Sequence, residues 1–240
     1  MEDYDQRLVE LYDEDNPDGP DHDFYRGLAD EVSARAILDL GCGTGILTTT
    51  FARQGRTVVG VDPSVRMLAY ARRRAGTAAV KWVLGDSRSI PPGAFDYAVM
   101  TGNVAQHIGE ADWTRTLGDL RKALRAGGIL AFESRNPAVR AWESWAAGER
   151  STRETAHGTL IEWSEAEETA PGTVKLLAHN FFVKTNETVT ETQMLVFRKR
   201  NALEGQLKTA GFDIEAVYGD WERSPFMRDA PVMVFVARAR

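Results

Sequence analysis

With 240 residues, 43% of them apolar, the chain sits at the upper end of a single ordinary domain and can bury its own core without disulfide or metal staples. Its net charge of −6 and its scattered 29 basic residues form no stripe for a polyanion, so nucleic acid is disfavoured as a partner. The lone Cys42 excludes an internal disulfide framework and a multi-cysteine zinc site; the acidic start MEDYDQRLVELYDEDNPDGP has no export-signal pattern, and no apolar run is long enough to span a membrane. Cytoplasm is therefore the expected location.

The N-terminal residues 1–34 are expected to form a helical cover, with 13–23 (DEDNPDGPDHD) as the most linker-like stretch. Short apolar runs then alternate with helical patterns, the rhythm of a parallel sheet with crossover helices. Strands are expected at about 36–40, 57–61, 80–84, 95–100 and 128–133, with helices at 45–54, 64–75 and about 110–125, the last ending at the Gly127-Gly128 pair. Residues 137–198 break this rhythm. A helix is expected from Pro137 to Gly148, followed over 158–198 by alternating apolar and polar residues with turns at Pro171-Gly172 and Asn186-Glu187, which is antiparallel strand chemistry. A helix at 200–210 and strands at 212–218 and 231–238 finish a single domain.

The first strand runs into Gly41-Cys42-Gly43-Thr44-Gly45, where alternate glycines permit a tight turn and let a ligand approach bare backbone at a helix start. The spacing differs from the dinucleotide fingerprint, because position 46 is Ile where a glycine would be needed at 46. Ligands in an open α/β sheet sit beyond the carboxyl ends of the strands, near the switch in strand order. There the second strand ends in Val61-Asp62, the third in Gly85-Asp86-Ser87 and the fourth in Thr101-Gly102-Asn103. A lone Asp at a strand end is often only a cap or turn former. The ordered set is harder to explain in that way.

On ILDLGCGTG (37–45), VDPSVRML (61–68), LGDSR (84–88) and LRAGGILAFE (124–133) the chain resembles the class I S-adenosylmethionine-dependent methyltransferases of small-molecule type. The resemblance covers residues 25–135. It implies a Rossmann-like α/β fold: a seven-stranded, mostly parallel sheet in the order 3-2-1-4-5-7-6, helices on both faces, and the antiparallel insertion between strands five and six. It implies S-adenosyl-L-methionine as cofactor and S-adenosyl-L-homocysteine as product. The cofactor site would comprise Asp39, Gly41, Cys42, Gly43, Asp62, Pro63, Met67, Asp86, Ser87 and Thr101. Asp62 would hold the ribose, Met67 would pack near the adenine, and Asp86 with Ser87 would meet its edge. No metal is expected.

His107 is a candidate base after strand four, with a structural histidine as the competing reading. Tyr12, Tyr25, Asn103, Glu133, His179 and Trp221 are candidates to border the acceptor pocket, and 137–198 is expected to serve as its lid. Asn136-Pro137 reads as a helix cap, Trp142 and Trp145 as core, and Arg72-Arg73-Arg74 as a solvated helix end. The expected activity is methyl transfer to nitrogen or oxygen of a small molecule, by a monomer or a homodimer. A tRNA, DNA or protein methyltransferase, or a cofactor-binding protein without methyl transfer, are the alternatives.

Overall fold

The computed structural model describes residues 3–53, 55–91 and 95–240. Seven strands form one sheet: β1 (Ala36–Leu40), β2 (Thr57–Asp62), β3 (Val80–Leu84), β4 (Phe95–Met100), β5 (Leu124–Arg135), β10 (Phe212–Tyr218) and β11 (Val232–Ala239). Their order is β10-β11-β5-β4-β1-β2-β3. With the inserted strands set aside, this is the expected 3-2-1-4-5-7-6. β11 runs antiparallel to both of its neighbours, while β1, β2, β3, β4 and β5 are paired in parallel. The interior strands β1, β2 and β4 are buried on both faces, whereas β3, at the edge of the sheet, exposes Lys81 and Leu84. Leu38, Ala98, Leu130, Phe132 and Phe235 face one layer, together with Trp113 and Leu120 of α6 (Glu110–Ala123) and Leu203 of α8 (Arg200–Ala210). Ile37, Tyr97, Val99 and Ile129 face the other, together with Phe24, Tyr25 and Leu28 of α2 (Pro20–Glu31) and Phe51 of α3 (Thr48–Phe51).

The antiparallel insertion is a separate sheet, β6 (Ser151–Thr155), β7 (Gly158–Ala170), β8 (Thr173–Phe182) and β9 (Glu187–Val196), in sequence order. Its period of two divides the side chains cleanly. Leu160, Val174, Phe182 and Leu195 face the body of the protein, against Leu11 of α1 (Gln6–Asp15) at one end and Trp142 of α7 (Ala141–Ala147) at the other. α1 lies between the two sheets. On one side Thr44 donates to Asp13 over 2.6 Å and Arg74 pairs with the same carboxylate; on the other, Arg7 pairs with Glu187 at 2.8 Å and Asp15 with Arg153 at 2.8 Å.

Several boundaries differ from expectation. Residues 13–23 are mostly helical: Asp5 caps α1, and Pro20, pre-set for a helical φ, opens α2, so only 16–19 connect them. The helices expected at 45–54 and 64–75 shorten to α3 and to α4 (Val65–Ala71). α6 ends at Ala123, and Gly127, at φ 80°, lies inside β5, where the register with β4 shifts between Phe95 and Tyr97. The expected helix at 137–148 is one 3-10 turn, Pro137–Val139, and then α7 after a left-handed Arg140. β6 was not anticipated, because its STRET sequence carries no apolar alternation.

Candidate functional site

The strand order reverses between β1 and β4, so the loops leaving these two strands border a crevice. Gly41 has φ 80°, and a Cβ there would lie 2.4 Å from Val104 Cγ2, so only glycine lets the two loops meet this closely. Gly43, at φ 52°, has open space where a side chain would be. Its N–H donates to Asp62 Oδ2 (2.9 Å), while Ser64 N–H donates to Oδ1 (2.8 Å). Asp62 thus ties the glycine loop to the start of α4, and each oxygen keeps a lone pair. Burial raises its pKa, and among the described residues no cation pairs with either oxygen.

Asp39 is 1% exposed and accepts from Thr48 Oγ1 (2.7 Å), but Oδ1 has no partner. Burial, opposed by that bond and reinforced by Asp62, pushes its pKa to about 7. Cys42 is buried against Gly60 and its thiol is held neutral by burial and by the nearby aspartates, which suits a small apolar filler. Met67 is buried at the start of α4, whereas Pro63 is exposed. Asp86 is turned toward Arg88 (2.6 Å) and Arg115 (3.6 Å), which lower its pKa. The Ser87 hydroxyl donates to Asp119 of α6 (2.8 Å). Thr101 is half-buried at the mouth of the crevice, before Gly102.

On the far side of the crevice Glu133, 2% exposed near the end of β5, accepts from the Tyr25 hydroxyl and from Asn103 N–H (2.5 Å). Asn103 presents that N–H from a left-handed backbone, φ 60°, at the start of α5 (Val104–His107). Burial carries the Glu133 pKa to about 7, against the pull of Tyr25 and Asn103. Trp221 packs beside Tyr25, with its buried Nε1 turned toward the Tyr25 hydroxyl. Tyr12 is half-buried, its hydroxyl 3.9 Å from where a Cβ on Gly102 would sit; burial and the fields of Asp62, Glu133 and Glu191 raise its pKa. His107 keeps an exposed surface, yet its ring is crowded and Arg135 is close, so its pKa falls.

His179 requires a correction. It is paired with Trp163 across β7 and β8, on the face opposite Asn180 and Phe182, and stacks on that indole at 4.9 Å with Nδ1 2.9 Å from Thr190 Oγ1. Because strand side chains alternate, the residue that faces the body of the protein is Asn180, not His179.

Three residues on the crevice side were not anticipated. Glu191 lies on the inward face of β9, with Oε1 buried and unpartnered, and burial with the field of Asp5 lifts its pKa to about 6. A carboxylate in register with inward Leu195 was the signal in the sequence. Arg135 and Gln106 carried none, since only the tertiary fold brings α5 against the end of β5. Arg26, next to Tyr25 on α2, pairs with Asp18 and Asp23 at the surface.

With this geometry in place, residues 37–128 match the family model described as a methyltransferase domain. The malonyl-[acyl-carrier protein] O-methyltransferase of Pectobacterium atrosepticum is 31% identical over 133 residues, 53% of this chain and 51% of that protein. The chain thus spans about half the length of the curated relatives it matches. The CcbJ methyltransferase from Streptomyces caelestis superposes with a TM-score of 0.79 at 21% identity, covering 98% of this chain and 99% of that one. The sugar N-methyltransferase KedS8 from Streptoalloteichus sp. does so with a TM-score of 0.79 at 19% identity, covering 100% and 94%. At these identities the likeness is one of fold. Among the described residues no helix is long and apolar enough to cross a membrane, and no group of three or more His, Cys, Asp or Glu is placed to hold a metal.

Proposed function

From the chain's membership of the class I S-adenosylmethionine-dependent methyltransferase superfamily, we infer that it transfers a methyl group from S-adenosyl-L-methionine to nitrogen or oxygen of a small-molecule acceptor. The crevice fits such a cofactor: bare backbone at Gly43, a carboxylate with free lone pairs at Asp62, and the unpartnered Oδ1 of Asp39 suit ribose hydroxyls and a positively charged amino acid end. When bound, the cofactor supplies an activated methyl group with its own leaving group. The chain's residues have the remaining tasks. Asp62 holds the ribose, Asp39 offers its free oxygen to the ammonium, and α1 with its Tyr12 shields the crevice from water.

The observation that carries the reading is Glu133. It is a buried carboxyl with a pKa near 7, oriented by Tyr25 and Asn103, at the carboxyl end of β5 across the strand switch from the glycine loop. There it can take the proton that an attacking N–H or O–H must lose. The covered edge supports a small acceptor, since α1 is fastened both to the glycine loop and to the antiparallel sheet.

Incubation with methyl-labelled cofactor and a fractionated metabolite extract tests this. A labelled small product is expected, with calorimetric binding of both the cofactor and its demethylated product. Tight binding of NAD instead would overturn the cofactor assignment. Binding without any labelled product would leave a cofactor-binding protein, and label appearing only on nucleic acid or protein would overturn the acceptor class.

A further inference from the structure

Arg135 is a partly buried cation that feels the field of Glu133 but has no carboxylate within ion-pair distance among the described residues. It sits at the end of β5, two residues beyond Glu133, half-buried, with its guanidinium 5.0 Å above the Trp145 ring of α7. Among the described residues it forms no ion pair; its hydrogen bond goes to the neutral Oε1 of Gln106, at 3.0 Å. Gln106 is fully buried, and its Nε2 has no partner among the described residues. A buried, unpaired polar group is costly, and a desolvated cation more so, unless something supplies the missing acceptor. The helix carrying Gln106 is held rigidly: Arg198, buried at the end of the insertion, donates to Ala105 O (2.7 Å) and Ile108 O (2.6 Å) on either side of it.

We propose that Arg135 and Gln106 form an anion subsite in the acceptor pocket, so that the acceptor bears a negatively charged oxygen group, a carboxylate or a phosphate. The inference rests on the methyl-transfer reading. The guanidinium presents paired donors in a plane that matches such a group, and Gln106 adds the donor that no protein atom uses. Gln106 Oε1 fixes the guanidinium, and Trp145 supports its face. An anion held here lies on the same side of β5 as Glu133, so the group anchors the acceptor next to the carboxyl expected to receive its proton.

The test uses the full chain loaded with S-adenosyl-L-homocysteine, titrated with sodium acetate, inorganic phosphate and ethylammonium chloride at constant ionic strength while tryptophan fluorescence is read. Acetate or phosphate should give a saturable change and ethylammonium none; the stronger of the two anions identifies which oxygen group the site takes. Arg135→Gln should lose the response, weakening the apparent affinity at least tenfold. Gln106→Glu, which sets a carboxylate against the guanidinium, should do the same, whereas Arg135→Lys should fall between. Circular dichroism and calorimetric binding of S-adenosyl-L-homocysteine within threefold of the parent establish that each variant is folded. The absence of any saturable anion response, or one that persists in Arg135→Gln, overturns the subsite. Failure of S-adenosyl-L-homocysteine to bind the parent chain instead overturns the methyltransferase reading, and the anion titration of the unloaded chain then still decides the subsite.

Discussion

Asp39→Asn should separate stability from cofactor binding. The Asp39 carboxyl has a folded pKa of about 7 against an ordinary value of 3.8, because it is buried and only Thr48 donates to it. The folded state therefore holds its proton more tightly than the unfolded chain, and this group's contribution to stability falls as pH rises from the unfolded pKa through the folded one. Between pH 5 and pH 8 the folded carboxyl ionises across about two units of that window, which removes roughly 3 kcal/mol from the parent and nothing from the asparagine variant. Any fixed cost of an unsatisfied amide in the variant is the same at both values and cancels in the comparison. For a chain of this size about 2–4 °C of melting temperature accompanies each kcal/mol, so the variant should gain roughly 6–12 °C on the parent between the two pH values. Thermal unfolding without cofactor, at pH 5 and pH 8, measures this. The variant should also bind S-adenosylmethionine at least tenfold more weakly at pH 8, about 1.4 kcal/mol for a lost charge contact. Parallel melting curves across pH would refute the argument, since they would mean that Asp39 already has a partner for its free oxygen.

Asp62→Ala should weaken cofactor binding by about 10- to 150-fold, the range for a hydrogen bond to a charged group, and should lower the melting temperature as well, because the Gly43 and Ser64 N–H groups lose their acceptor; calorimetry and thermal unfolding report the two effects. Asp13→Ala releases the fastening of α1 on Thr44 and Arg74, so cofactor dissociation followed by stopped flow should accelerate about three- to tenfold; an unchanged rate would show that α1 does not cover the ligand. Glu133→Gln should remove the rise in kcat/KM as pH passes through about 7, where the parent carboxyl becomes the ionised, proton-accepting form; a profile that persists in the variant would assign the base elsewhere. His179→Ala should leave kcat/KM within about twofold of the parent, since the ring stacks on Trp163 on the far face of β8; a tenfold loss in initial rates would contradict that orientation.

Much of this protein is local, and the sequence alone determined those parts. The parallel strands are rich in apolar residues because most of them are buried inside the sheet, and they show as short apolar runs; β1, β3 and β4 lie where those runs placed them. Backbone requirements are local too, so Gly41 and Gly43 were legible as a tight glycine turn and Asp62 as a strand-end carboxylate, and α8 with its left-handed Gly211 cap showed both of its ends. What the tertiary structure decided is which side chains meet. The face that β8 turns inward depends on which side of its sheet packs on α1 and α7, and a period of two leaves both choices open, so His179 and Asn180 could be told apart only after folding. Tyr25 and Glu133 are 108 residues apart in the chain and Thr44 and Asp13 are 31 apart, and nothing in either segment announces the partner. The raised pKa values of Asp39 and Glu133 and the unpaired Nε2 of Gln106 beside Arg135 arise from burial and from the neighbours that packing supplies or withholds, which have no local signature in the chain.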